Sequence, residues 1–155
     1  MMPPPSRAMA GAATVHLALG FSLGAFTLLA KASGTASPLW LLRETHIHGL
    51  LFGWLVQFAM GVALAIFPRL ASGPPRGDPR AAWGCFVMIN TGALCGGLAP
   101  IATLMSGPFA GAVLSALAGV SYAAAVALFM LLMWARVRTV NPIWPVDLPV
   151  ARGQK

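Results

Sequence analysis

The chain has 155 residues, of which 58% are apolar and only 8% charged. A soluble domain carries about a quarter charged residues, so the composition excludes an ordinary soluble domain and points to a single integral membrane domain. The net charge is +7, but the basic residues stand between apolar runs and not in a stripe, which argues for membrane topology and against a nucleic-acid partner.

A helix crosses a bilayer core of about 30 Å with roughly 20 apolar residues. Four segments meet that requirement: 9–30, 38–67, 81–105 and 109–134. Uninterrupted apolar runs select helices over a barrel, because a helix satisfies its own backbone in lipid. The expected fold is therefore all-α, one transmembrane domain over residues 1–155 built as a four-helix bundle. The first run is too long for a signal peptide, and "MMPPPSR" before it is weakly basic, so it reads as a span. Ser37-Pro38 is a start signal for the second helix, and Pro68 stops it. "SGPPRGDPR", Ser72 to Arg80, reads as a loop.

Cys85 and Cys95 fall in the third run. On one helix they stand roughly 15 Å apart, too far to bridge, and read as packing residues. Small residues recur at four-residue spacing: Gly20 and Gly24, Gly92 and Gly96, and Gly107, Gly111, Ser115 and Gly119. Such ridges let helices approach closely within a bundle, or between subunits.

Arg7, Arg69, Arg76, Arg80, Arg136, Arg138, Arg152 and Lys155 fall on one side of this topology, and only Lys31 and Arg43 on the other. The positive-inside rule then puts both termini in the cytoplasm of a multi-pass protein of a bacterial inner membrane. His46 and His48, at the start of the second helix, lie near the outer face.

Histidine is costly in lipid, and "RETHIHGLLFGW" places two at the mouth of an apolar run. They are about 200° apart on a helix and cannot grip one metal together. The His46 face continues through Gly49, Gly53, Gln57, Met60 and Gly61. Two glycines below a histidine leave a flat slot, and Arg43 one turn above can pair with carboxylates reaching toward water. The His48 face continues through Leu51, Phe52, Leu55 and Ala59 as an apolar wall. An axial imidazole, apolar walls and a cation are what a haem requires. Two histidines hydrogen-bonded near the headgroups explain the spacing equally well. His16 reads as lying two turns into the first helix from the other side, away from His46 and His48. It suits a hydrogen bond to a neighbouring helix, or a second cofactor layer.

"HIHGLLFGWLVQFAMGVALAIFPRL", His46 to Leu70, resembles a haem-ligating helix of the catalytic subunit of haem-copper oxidases. It is nearest the C-type cytochrome oxidase and nitric oxide reductase branch. The shared marks are the H-x-H pair, Gly53-Trp54 and the Phe67-Pro68-Arg69 end. The resemblance implies a haem b held by His46 and His48, with Arg43, Gly49, Gly53 and Trp54 around it. In that family the two histidines serve two haems. This chain departs from the family in having one four-helix arc where the family has three, and it has no three-histidine copper set. Three copies closing into a ring would restore the missing arcs, since heterologous contacts that close give cyclic oligomers. His46 of one subunit would then face His48 of its neighbour.

These readings lead to a membrane b-type haem protein that transfers electrons, a homo-oligomer with a homotrimer favoured over a dimer or a partner with its own histidines, open to a redox partner at the outer face and with no catalytic residues of its own. The rivals are a haem protein that binds or reduces nitric oxide or oxygen, and a cofactor-free accessory membrane subunit.

Overall fold

The computed structural model describes residues 2–34, 40–70 and 76–138. The start signal at Ser37-Pro38, the first part of the Ser72–Arg80 loop, and Arg152 and Lys155 lie outside them. The described residues form an all-α bundle of four helices: α1 (Pro4–Ala32), α2 (Leu42–Ile66), α3 (Pro79–Ser106) and α4 (Pro108–Arg138). Each is long and apolar enough to cross a membrane.

Three of the helices begin on a proline, at Pro4, Pro79 and Pro108, earlier than the apolar runs alone mark them. The first turn tolerates proline because its N–H groups have no helical partner there. Asp78 adds a side-chain cap, accepting from the Arg80 N–H at 2.8 Å. The α3–α4 turn is tight and uses Gly107 at φ 92°, in the left-handed region that favours glycine.

The helices run up and down in sequence order. α1 packs on α2, α2 on α3, and α3 most closely on α4, while α1 touches α3 only lightly. The basic residues of the helix ends accordingly gather at one end of the bundle, and Lys31 and Arg43 stand at the other. The packed core sits toward the basic end, where Met9, Met60, Leu64, Ala82, Cys85, Leu132 and Met133 bring all four helices together. Outward faces carry large apolar side chains such as Leu19, Phe21, Phe26, Leu131 and Trp134. That exposure suits lipid, where apolar surface carries no penalty and close packing of small residues holds helices together.

At the basic end Arg136 is fully buried. Its guanidinium donates to the carbonyls of Pro68 (3.0 Å), Leu64 (3.1 Å) and Phe67. These are carbonyls at the C-terminus of α2 that the helix itself leaves without partners, where Pro68 ends it. A cation there also complements the helix dipole.

Most of the glycine ridge packs inside the bundle. An added Cβ on Gly20 would meet Leu50, on Gly92 Tyr122, and on Gly111 Thr103. Ser115 and Gly119 are exposed, and Gly119 has open space where a Cβ would stand.

Candidate functional site

α2 is not a uniform α-helix. Leu42–His48 is α-helical, Gly49–Val56 is a π segment, and Gln57–Ile66 is α-helical again. The π register begins directly after His48. Such segments cluster at functional sites.

His46 points at α1. Its Nδ1 lies 2.7 Å from the Gly20 carbonyl oxygen. A carbonyl only accepts, so Nδ1 carries the proton and Nε2 keeps the lone pair. The ring packs against Gly24, where a Cβ would fall 2.7 Å from Cε1. The same imidazole lines a lateral groove of about 450 Å³ with Phe21, Thr27, Leu28, Trp40 and Arg43. Arg43 sits at its rim, paired with Glu44 at 3.2 Å, with both side chains about half exposed. The guanidinium also lies 5.7 Å from the Trp40 ring centre. An exposed pair of this kind is worth little, which leaves Arg43 available to another anion.

His48 points the other way, as the helical spacing requires. Its Nδ1 is 2.8 Å from the Tyr122 hydroxyl of α4, and its ring stacks with Tyr122 and Phe52. Gly96 of α3 makes room, since a Cβ there would fall 2.5 Å from His48 Nδ1. The Phe52 and Tyr122 rings stack at 3.8 Å. The wall expected below His48 is divided: Phe52 turns inward, while Leu51 and Leu55 face outward.

His16 lies deeper than its expected position. α1 begins at Pro4, so His16 stands more than three turns in, one turn from the Gly20 that binds His46. It packs on Gly53, whose Cβ would fall 2.5 Å from His16 Cγ. The flat slot expected over Gly49 and Gly53 is therefore occupied at Gly53 by the His16 ring, a planar group from the chain itself. Gly49 remains open and borders a small cavity with His16, Gly20 and Thr45. Trp54 is half-buried within the π segment.

Asn90 fixes the state of His16. Its Nδ2 donates to the Phe86 carbonyl at 2.7 Å, so its Oδ1 faces His16 Nε2 at 3.1 Å as an acceptor. His16 Nε2 therefore carries the proton, and Nδ1 keeps the lone pair. The hydrogen bond to a neighbouring helix expected of His16 is present.

Each histidine thus rests on a glycine of another helix: His46 on Gly24, His16 on Gly53, His48 on Gly96. Tyr122 and Asn90 were not singled out in the sequence, although each is a polar residue in mid-span, which is itself a signal. Among the described residues no three His, Cys, Asp or Glu side chains converge. The metal chemistry available in that region is that of single imidazoles presented on separate faces. No protein-family model, curated protein or solved structure matches the chain.

Proposed function

We propose that this protein is a membrane b-type haem protein that transfers electrons, with His46 as an axial ligand in the α1–α2 groove. One observation carries the reading. His46 has its Nδ1 proton held by the Gly20 carbonyl, its Nε2 has no hydrogen-bond partner among the described residues, and its side chain lines an open, mostly apolar groove with a cation at the rim. Metal-ligating histidines are held in this way, with the far ring nitrogen donating to a carbonyl or carboxylate. The donor set fits a haem: imidazole for iron, Phe21, Leu28 and Trp40 for the ring, Arg43 for a propionate. When bound, the haem would supply reversible one-electron chemistry. The chain's part is to fix the imidazole tautomer, exclude water with apolar walls and balance charge at the rim.

His48 supplies the second imidazole of the reading, from the opposite face. It serves as a ligand in the tautomer whose Nδ1–H donates to the Tyr122 oxygen, leaving Nε2 for iron. The two faces cannot meet in one chain, so the haem belongs between subunits, in a ring of three for which the resemblance to the oxidase subunit gives the count. The basic end is cytoplasmic in this reading, and the haem lies toward the outer face of a bacterial inner membrane, within reach of a redox partner.

An optical spectrum of the purified protein is the test. Sharp low-spin haem bands, lost in His46→Ala, are expected. A high-spin haem that shifts with carbon monoxide would replace electron transfer by gas binding. No haem band after expression with ample haem would leave three imidazoles acting only as interhelix hydrogen-bonding groups. Metal analysis should find iron with little copper, because copper favours sites of several imidazole or thiolate ligands.

A further inference from the structure

We propose that Ser6, Gln57 and His16 form a hydrated path along the α1–α2 interface that carries protons from the basic end of the bundle to mid-span. The proposal does not depend on haem. It starts from Gln57, which is fully buried, yet neither its Nε2 nor its Oε1 has a hydrogen-bond partner among the described residues. A buried amide without partners is unfavourable, because it forfeits its hydrogen bonds to water and gains none in return. Polar sites of this kind hold internal water. Ser6 is also fully buried, and its Oγ is likewise unpartnered among the described residues.

These groups are stacked in register. Gly53, Gln57 and Gly61 recur every four residues on α2. Gly53 touches His16, while Gly61 touches the buried Met9 side chain and, less closely, the Ser6 carbonyl. All three are positions on α1, so the buried Gln57 lies between the levels of Ser6 and His16 on one interface, beside Met9. At the basic end Ser6 lines a small cavity of about 100 Å³ with Arg76, Pro79 and Leu64. Above His16 lies the cavity bordered by Gly49, Thr45 and Gly20, the residue whose carbonyl holds His46.

His16 is set to receive a proton. Its Nε2–H is committed to Asn90, and its Nδ1 faces Gly53, with a Cβ there falling 2.6 Å away. Gly53 of α2 and Asn90 of α3 touch it, and neither titrates. The charged residues of α1, α2 and α3 are confined to the helix ends, at Arg7, Lys31, Arg43, Glu44 and Arg80. The path is thus neutral between its mouth and the imidazole. A hydronium at the mouth passes a proton to water held by Ser6, each water along Gln57 accepts one proton and releases another, and the last proton binds Nδ1. The product is one imidazolium and one neutral water at the mouth, and no electrons move. Release of the same proton to water in the Gly49 cavity restores the neutral ring.

The test uses full-length protein in lipid vesicles, labelled with ¹⁵N-histidine, and follows magnetisation transfer from water to each imidazole by solid-state NMR. Strong transfer to His16 is expected, lost in Gln57→Leu and weakened in Ser6→Ala. His48, packed between Phe52, Tyr122 and Gly96, is the internal reference and should not change. Thermal unfolding of the same samples is the second measurement. Leucine in a wet site removes bound water, whereas in a dry site it removes an unsatisfied amide and raises stability. No transfer to His16 in the parent protein, or equal transfer in Gln57→Leu, overturns the path.

Discussion

A histidine bonded through one ring nitrogen offers the other in a defined tautomer, and in this bundle glycines set that geometry. His48 depends on Gly96 for space and on Tyr122 for its bond. Gly96→Ala would place a methyl 2.5 Å from the His48 ring, so the ring must move off Tyr122. Overpacking of this kind costs about 1–3 kcal/mol, and a lower unfolding temperature in detergent should show it. Tyr122→Phe keeps the stack and removes only the hydroxyl. The fold should survive, since Phe52 still packs on the ring, but the tautomer of His48 is no longer held. If His48 ligates haem, haem affinity should fall about 10–100-fold in Tyr122→Phe, as when a hydrogen bond to a ligating histidine is removed. Haem titration of the apoprotein reads this directly, and unchanged affinity would separate His48 from the haem site.

At the level of the helices, the spans were legible and the interior of α2 was not. Long apolar runs have few alternatives in lipid, so all four helices stand where hydropathy puts them. Three of them start earlier than hydropathy alone marks, because proline lowers the hydropathy of a first turn with which it is compatible. The opposite orientation of His46 and His48 followed from helical spacing alone. The π segment at Gly49–Val56 did not, because periodicity carries no mark for a register of i to i+5. Nor did the occupant of Gly53, since the partner of a glycine on another helix depends on depth, and His16 lies deeper once α1 begins at Pro4. Arg136 was counted only as a basic residue of the topology, yet it closes the C-terminus of α2 by bonding three carbonyls. Arg136→Met would keep the apolar stem and strand those carbonyls in a buried site. A loss of about 3 kcal/mol is expected from unsatisfied groups of this number, read as a lower unfolding temperature. Arg136→Lys should recover part of it, because a lysine ammonium still donates there but lacks the guanidinium fork.

At the scale of the whole molecule, the basic residues and the packed core share one end, and the half-buried His46 and His48 lie toward the other. Reporter fusions at Lys155 and in the Ser72–Arg80 loop should both read cytoplasmic. An outside signal at either site would invert the proposed placement of haem.

The same geometry decides where a low-spin haem would lie. Such a haem needs two axial groups on one iron. Within one chain His46 turns to α1 and His48 to α3 and α4, on opposite faces of α2. His16 offers no substitute at the His46 groove, because its Nε2 is bonded to Asn90 and its ring is set against Gly53. A second imidazole must therefore come from another subunit, placing the proposed haem between chains. His46→Ala and His48→Ala should each abolish low-spin haem at every site, because every site uses one of each. Mixing the two variants during assembly should restore only about a quarter of the sites in a closed ring, those where an intact His46 meets an intact His48. Arg43→Gln should cost only about 1 kcal/mol in haem binding, as screened pairs near water do. Native mass spectrometry gives the stoichiometry, with one haem per chain in a trimer expected. A haem-loaded monomer with a low-spin spectrum would refute the shared site, because no second imidazole of the same chain reaches the groove.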